Sequence, residues 1–326
     1  MTEHYPRVRL YASGPEGERL VQREVIRLVM HLPHDHHTLS VHVNRALDVY
    51  LDALSAGAAT FSEYSLGDEE YSLGTSGWER VRAALSPPTG ARFLEDMEDP
   101  QALLRYVKNQ YERTIELSSS DTGVSGYGFF YWARLPWCTR TRVADEVSLV
   151  SFSWPTEYLE ERGPERMRER AMELASLLPF SSGHAGLAFY SPNAFTASLK
   201  GIHEAAFRHP GLDVAHGSTT LGPRVDGVHW LNFLGQPVLG ALGGATGLRS
   251  RLRSPTTTVQ ELDDEHAVVT LGQWPEAGDL TQGRNLPEYC EFARALEPYL
   301  NECAPRCEFH DSSHEETLRW WRRFLD

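Results

Sequence analysis

The 326-residue sequence has no long hydrophobic run and only four cysteines, and each shortage excludes a class of protein. No stretch approaches the roughly 18 apolar residues of a membrane span, so we expect no transmembrane helix. The amino-terminal residues MTEHYPRVRLYASG lack the apolar segment of a secretory signal. Cys138, Cys290, Cys303 and Cys307 are too few for a disulfide framework in a chain of this length. The sequence therefore predicts a cytoplasmic protein.

Recognisable catalytic motifs are also missing. There is no G-x-S-x-G, and the nearest segment, Ser181 to His184, lacks the nucleophile turn. The stretch Gly240 to Gly244 has neither the Lys-Ser/Thr of a phosphate-binding loop nor G-x-G-x-x-G. Adjacent acids such as Glu160 and Glu161 lie about 100° apart on a helix, which is typical of solvated faces. The sequence therefore predicts a protein that is not an enzyme and that binds no cofactor.

Positive charge is in short supply relative to negative charge. The chain has 45 acidic and 31 basic residues, a net charge of −14. Such a field repels phosphate backbones, which argues against nucleic-acid binding. It attracts basic proteins and speeds their encounter, although it also simply keeps a protein soluble.

The periodicity of apolar residues predicts a mixed α+β fold, with mixed or antiparallel sheets packed with helices. Strand-like runs include Val25–Met30, Tyr127–Trp132, Val147–Trp154, Gly183–Tyr190 and Val228–Leu234. Helical spacing covers Thr38–Leu54, Pro100–Leu117, Glu157–Leu178, Asn193–Arg208, Pro287–Leu300 and Glu315–Phe324.

The order strand, long helix, strand occurs in residues 25–66 and again in residues 147–190, which suggests an internal duplication. We divide the chain into an α+β half over residues 1–140 and a second over 141–326. Without a clear linker between them, we expect the two halves to be fused as one globular unit.

Two sets of side chains could bind a metal, and each has a simpler explanation. His34 and His36 could point the same way in an extended segment, but Asp35 or Thr38 could instead cap the following helix. Cys303, Cys307, His310 and His314 offer zinc-type ligands, although their spacing is compressed relative to usual sites. His229 and Asn232 could form a polar site or be satisfied by backbone. We predict no metal site, and keep a metal-binding or small-molecule enzyme as the alternative.

The stretch from Asp226 to Leu234, continued to Gly243 and Gly244, resembles the signature of the TsiV-like type VI secretion immunity family. Further likeness lies in Gly186-Leu187-Ala188-Phe189, after a Glu/Arg-rich helix, and in the late strand Val268–Gly272. The resemblance implies an antidote that binds a toxin delivered between bacterial cells. The apolar pattern of the Trp230 strand places that strand in the core rather than at the interface. A nuclease toxin needs a basic cleft, so an acidic antidote that covers its active site fits the charge.

The partner would then be a basic toxin held by acidic segments and aromatic anchors. A scaffold that binds another basic protein is a third interpretation. A toxin gene next to this one would favour the immunity role over the scaffold. The candidate contact residues are Tyr64, Asp68, Glu69, Glu70, Tyr71, Glu95, Asp96, Glu98, Asp99, Asp263, Asp264 and Glu265.

Overall fold

The computed structural model describes residues 5–14, 17–67, 69–86, 113–119, 124–134, 145–190, 202, 204–214, 217–301 and 314–326. Within these ranges the chain forms an eleven-stranded sheet flanked by helices, which confirms the α+β prediction. The strands are β1 (Leu10–Gly14), β2 (Gly17–Leu32), β3 (Glu63–Leu66), β4 (Glu69–Ser72), β5 (Arg113–Ser118), β6 (Gly128–Ala133), β7 (Ser148–Pro155), β8 (Ser182–Tyr190), β9 (Leu231–Leu234), β10 (Thr257–Glu261) and β11 (Ala267–Leu271). The α-helices are α1 (His36–Asp52), α2 (Thr75–Ala84), α3 (Thr156–Arg162), α4 (Pro164–Ala175), α5 (Val238–Ala241), α6 (Gly244–Arg251), α7 (Pro287–Leu296) and α8 (His314–Trp321).

The strands pair in the order β10-β11-β9-β8-β2-β7-β6-β5-β3-β4, and β1 pairs with β2 beside this path. All of these strand pairings are antiparallel. The central strand β2 is 16 residues long. Its register places Leu28 opposite Phe152 of β7 on one side and Ala185 of β8 on the other. Strands from both predicted halves therefore meet in one sheet.

One face of this sheet, which we call the helical face, carries Ile26, Leu28 and Met30 of β2. Because alternate residues of a strand point to opposite faces, Phe152 and Trp154 of β7 lie on the same side. The Tyr50 ring of α1 packs on Phe152 and Trp154 at centroid distances of 5.2 and 5.0 Å. α1, α3 and α4 cover this face and form the main hydrophobic core.

The opposite face, which we call the polar face, carries Arg27, Val29 and His31 of β2. Residues 209–214 and 217–230 run across it. The Asp213 N–H donates to the Leu187 carbonyl at 2.9 Å and so fixes this segment to β8. The polar face is therefore buried beneath irregular chain rather than beneath an amphipathic helix.

Local sequence explains where the helices begin and end. The Asp35 side chain accepts a hydrogen bond from the Thr38 N–H at 3.3 Å, so Asp35 is the N-cap of α1, as one reading of that segment predicted. The predicted single helix Glu157–Leu178 is wrong, because Gly163 divides it into α3 and α4. Gly163 has φ of 81°, a conformation that favours glycine, and Pro164 then starts α4.

Two other predicted elements also need correction. Residues 100–112 of the predicted helix Pro100–Leu117 lie outside the described residues. The last part of that prediction is wrong, because residues 113–117 belong to the strand β5, in which buried Ile115 and Leu117 alternate with Glu116. The predicted strand Val228–Leu234 begins only at Leu231. The runs over Tyr127–Trp132, Val147–Trp154 and Gly183–Tyr190 are confirmed as β6, β7 and β8 to within one residue at each end. The run Val25–Met30 is also a strand, but β2 begins eight residues earlier, at Gly17.

The structure does not confirm the internal duplication. β7 and β8, the strands of the second predicted unit, both pair with β2. β2 and β3, the strands of the first unit, are separated by β7, β6 and β5. Within the described ranges, no helix combines the length and the apolar composition required to cross a membrane.

Candidate functional site

The acidic turn between β10 and β11 contains Asp263, Asp264 and Glu265, all of which are exposed. The Asp263 carboxylate accepts hydrogen bonds from the Glu265 N–H and from His266 Nδ1, both at 2.8 Å. Partial burial opposes ionisation, but the Glu265 N–H and the His266 ring outweigh it and lower the pKa of Asp263. The turn is therefore a structured, ionised acidic feature on the surface.

A groove of about 700 Å³ lies beside this turn. It runs between α1, α4, the segment 176–180 and the end of β10. Its apolar side chains are Met172, Ala175, Leu177, Leu178, Pro179, Phe180 and Leu262. Its charged or titratable side chains are His42, Arg45, Glu169, Glu173, Asp263 and His266. We call this feature the α1–α4 groove.

Hydrogen bonds to backbone carbonyls hold the walls of the α1–α4 groove together. His42 Nδ1 lies 3.0 Å from the Leu177 carbonyl oxygen, which ties α1 to the segment 176–180. His266 Nε2 lies 3.1 Å from the Phe180 carbonyl oxygen, and its ring packs on the Phe180 ring at 4.4 Å. The groove is thus preformed rather than a gap between independent elements.

The acidic β3–β4 turn, in which we include the first residues of β4, lies at the opposite end of the sheet. Its Glu70 is exposed, whereas Asp68 lies outside the described residues. Tyr64 is only 2% exposed and belongs to the core, while Tyr71 is 37% exposed. The two rings stack at 5.3 Å, and the Arg80 guanidinium lies 5.8 Å from the Tyr71 ring. Of the two predicted aromatic anchors, Tyr71 is the one that reaches the surface.

Several other candidate residues lie outside the described part of the chain. These are Glu95, Asp96, Glu98 and Asp99 of the second acidic segment, and Cys303, Cys307 and His310 of the compressed cysteine–histidine set.

The segment His34 to His37 does not form the alternative metal site. His36 is buried, with Nδ1 3.1 Å from the Tyr131 hydroxyl and Nε2 3.1 Å from the Ser86 carbonyl oxygen. His34 is exposed instead. The two rings therefore do not converge, because the chain turns into α1 at Asp35 and is not extended through this segment.

A buried polar cluster that was only partly anticipated lies on the polar face. Its members come from β2 (Arg27 and His31), β8 (His184) and the covering segment (Asp213, Asp226 and His229), and all six are buried. Arg27 Nη2 lies 3.3 Å from Asp213 Oδ2, and His184 Nε2 lies 3.7 Å from the same oxygen. His31 Nε2 lies 3.5 Å from Asp226 Oδ2.

Burial sets the protonation of this cluster. Removal from water lowers the pKa of His184 and, reinforced by repulsion from His184, lowers that of His229 well below the usual value. Burial alone would raise the pKa of Asp213, but His184, His229 and Arg27 lower it well below the usual value. At neutral pH His184 and His229 are therefore uncharged, beside an Arg27–Asp213 ion pair.

His184, Asp213 and His229 place one potential ligand atom each within 4.8 Å of one another, so they must be tested as a metal site. The rings of His184 and His229 are stacked, with centroids 3.7 Å apart and planes inclined by 9°. A histidine lone pair lies in the ring plane, and stacked planes are separated by about 3.5 Å. An ion in the plane of one ring is then beyond the metal–nitrogen distance of about 2.1 Å from the other. This arrangement does not fit a shared metal ion.

Asn232 behaves as the simpler interpretation predicted. Its Oδ1 accepts from the His229 N–H at 2.9 Å, and its Nδ2 donates to the His229 carbonyl at 2.7 Å. These two bonds satisfy the amide locally and hold the His229 backbone out of the β9 ladder. Trp230 is buried, and its Nε1–H donates to the Gly272 carbonyl at 3.2 Å. It packs in the core, in accord with the prediction for the Trp230 strand.

Comparisons with known proteins agree with this fold. A family described as TsiV, type VI immunity for VRR-NUC, matches residues 85–324. Among solved structures, the chain is similar to one described as the Pseudomonas aeruginosa T6SS protein PA0821, with a TM-score of 0.70 and 18% sequence identity. The alignment covers 97% of this chain and 87% of that chain. At this identity the likeness shows the fold alone. No curated protein sequence matches this chain.

Proposed function

Since this chain belongs to the TsiV family, described as type VI immunity for VRR-NUC, we propose that it binds a VRR-NUC nuclease toxin and neutralises it by covering the active site. The family match over residues 85–324 is the observation that carries the proposal. The remaining steps concern how such a chain would act on a nuclease.

Charge supports this mode of action. A nuclease must hold a polyanion, so its active-site cleft is expected to be basic. A chain with a net charge of −14 is attracted to such a cleft and competes with the nucleic acid for it. The exposed β10–β11 turn adds three carboxylates in a row at one place. Charge complementarity accounts for fast association, and buried apolar contacts would then provide slow dissociation.

The described residues also favour binding over catalysis. Within the described ranges, the three groups close enough to share an ion, His184, Asp213 and His229, are buried on the polar face and therefore closed to a substrate. Among the described residues, the acidic groups that solvent reaches are spread over turns, helix surfaces and strands such as β4 and β10. We therefore propose that the protein acts by occupying the toxin in a stable complex.

Stoichiometry is the test of this function. A VRR-NUC toxin, sought first among the products of the neighbouring genes, is expressed in a susceptible host with and without the chain, and growth is followed. The purified toxin is then titrated with the chain in a DNA-cleavage assay. We expect growth rescue and inhibition that is complete at a fixed molar ratio, in a complex weakened by salt.

Two results would overturn the proposal. Absence of both binding and rescue would exclude an immunity role toward that toxin. Loss of toxin activity at a small fraction of the molar equivalent, which increases with time, would indicate that the chain is an enzyme acting on the toxin.

A further inference from the structure

The two described acidic turns cannot both lie at the centre of one ordinary interface. They occupy opposite edges of the ten-strand path from β10 to β4, which at about 4.8 Å per strand spacing are about 40 Å apart along the sheet. A standard interface buries about 800 Å² on each partner, a patch roughly 30 Å across. One of the two turns is therefore the better candidate for the toxin contact.

The surroundings of the two turns differ in the features that binding requires. Glu70 and Tyr71, at the β3–β4 turn, lie on an edge strand, and the Tyr71 ring already has the Arg80 guanidinium 5.8 Å away. The β10–β11 turn instead adjoins the α1–α4 groove, with its volume of about 700 Å³. Tight interfaces combine an apolar anchor in a pocket with a charged rim, and within the described ranges the β10–β11 turn adjoins such a pocket.

Resting on the proposed function, we infer that the α1–α4 groove is the docking site for a basic segment of the toxin. The segment inserts one long apolar or aromatic side chain between Leu177, Phe180 and Leu262. Its flanking arginine or lysine side chains pair with Asp264 and Glu265 at the rim.

The charges around the groove fit this occupant, since three carboxylates in its lining, those of Glu169, Glu173 and Asp263, stand against the one guanidinium of Arg45. Glu169 and Glu173 already pair with Arg166 and Arg170 of α4, at 2.8 and 2.5 Å. Asp263 pairs with His266. Asp264 and Glu265 form no salt bridge within the described part of the chain, so they are available to a cationic partner. Because the walls are fixed by His42 and His266, docking costs little rearrangement of the groove.

The experiment compares two double charge reversals that change the net charge equally. Asp264→Lys with Glu265→Lys alters the groove rim, and Glu69→Lys with Glu70→Lys alters the opposite turn. Association with the same purified VRR-NUC toxin is measured by surface plasmon resonance at two salt concentrations. Rim charges act mainly on association, so we expect the rim variant to slow association at least about tenfold at low salt, and the matched variant less than about threefold.

A third variant, Leu177→Arg, tests the apolar floor. We expect it to speed dissociation at least about 30-fold, as for loss of an interface anchor. Thermal unfolding of each variant verifies that it is folded, and the rim reversal, on an exposed turn, leaves the fold intact.

The outcomes separate this inference from the proposed function. Failure of the unmodified chain to bind the toxin would overturn the proposed function itself. Binding by the unmodified chain that the two double reversals weaken equally, or that only the Glu69/Glu70 reversal weakens, would overturn the groove alone.

Discussion

His184 and His229 lie in the interior as stacked rings, and the protein keeps them there only while they are uncharged. Their centroids are 3.7 Å apart, and a second positive charge at that distance would add repulsion to the cost of burial. Arg27, His31, Asp213, Asp226 and Arg323 are the other titratable or charged groups that face the pair. Of these groups, only Asp213 and Asp226 carry a negative charge, which would partly offset the repulsion between two protonated rings.

This arrangement predicts acid sensitivity with a defined sign. The pKa values of His184 and His229 are lowered on folding, so below about pH 6.5 the unfolded chain binds more protons than the folded one. Stability is unaffected above that pH and decreases below it, by at most about 1.4 kcal/mol per pH unit for each ring. Urea unfolding at pH 7.5, 6.0 and 5.0 measures this slope.

The matched variant for this prediction is His229→Phe, which keeps a stacked ring but cannot be protonated. Its free energy of unfolding should decrease less steeply with falling pH, by the share of one histidine. A flat profile between pH 7.5 and 5.0 in the unmodified protein would contradict the prediction, as would an unchanged slope in the variant.

Sequence reasoning found one member of this cluster and missed the rest. His229 stood out because it lies in an apolar run, but His31, His184 and Asp213 are spread over more than 180 positions and share no motif. The available signal was polar residues inside otherwise apolar strands, such as Arg27 and His31 in β2. Such residues indicate that a polar partner is buried beside them. The identity of that partner follows only from the three-dimensional structure, in which β2 pairs with β8.

At the scale of elements, the break between α3 and α4 depends on one residue. Gly163 has φ of 81° and ψ of 162°, a region that is essentially restricted to glycine. Its N–H donates to the Leu159 carbonyl at 2.8 Å, so the backbone is held in place. The turn divides the segment into α3 and α4, and both helices contribute buried side chains to the main hydrophobic core.

We predict that Gly163→Ala destabilises the protein by about 1–3 kcal/mol, because a Cβ is strained in this backbone conformation. Glu161→Ala, at an exposed position of α3, should change stability by less than about 0.5 kcal/mol. The midpoint of urea unfolding measures both. Equal effects of the two substitutions would mean that the turn can relax around a side chain.

The elements that sequence analysis placed correctly are those with strong periodicity. α1 was predicted over Thr38–Leu54 and lies over His36–Asp52, because Leu39, Val43, Leu47 and Tyr50 form one buried stripe. The helix Glu157–Leu178 was predicted as continuous since both of its parts have helical spacing. The Gly163-Pro164 pair was the visible sign of a break.

Strand pairing was beyond sequence reasoning, because it depends on contacts between distant segments. The alternation of Ile115, Glu116 and Leu117 fits a strand, but the same residues also extend a helical pattern that starts before them. The segment is a strand, β5, because it pairs with β3 on one side and with β6 on the other. Tertiary context thus overrides the local pattern at this point.

At the scale of the whole molecule, the acidic surface and the groove act at different stages of the proposed encounter. The net charge of −14 acts at long range and depends on salt. The α1–α4 groove acts at contact and depends on shape. A change in total charge should alter association wherever it is made, whereas a change at the groove should alter both association and lifetime.

The sheet order also predicts how the chain tolerates division. β2 lies between β7 and β8, so residues 141–326 alone would lose the strand that joins the two sides of their sheet. Each side would then expose an unpaired strand edge and the apolar surface that β2 covers. That contact is fully buried in the intact chain, because five residues of β2 are 0% exposed: Val25, Ile26, Leu28, Val29 and Met30.

We therefore expect residues 1–140 and 141–326, expressed separately, to lack a cooperative thermal transition and to aggregate. Co-expression of the two pieces should restore a soluble complex with the unfolding behaviour of a folded protein, because the pairings of β2 do not require an intact chain. The control is the full chain cleaved at an engineered protease site after residue 140, which should stay assembled. Cooperative unfolding of residues 141–326 alone would show instead that β7 and β8 can close the sheet without β2, and that the two halves are independent domains.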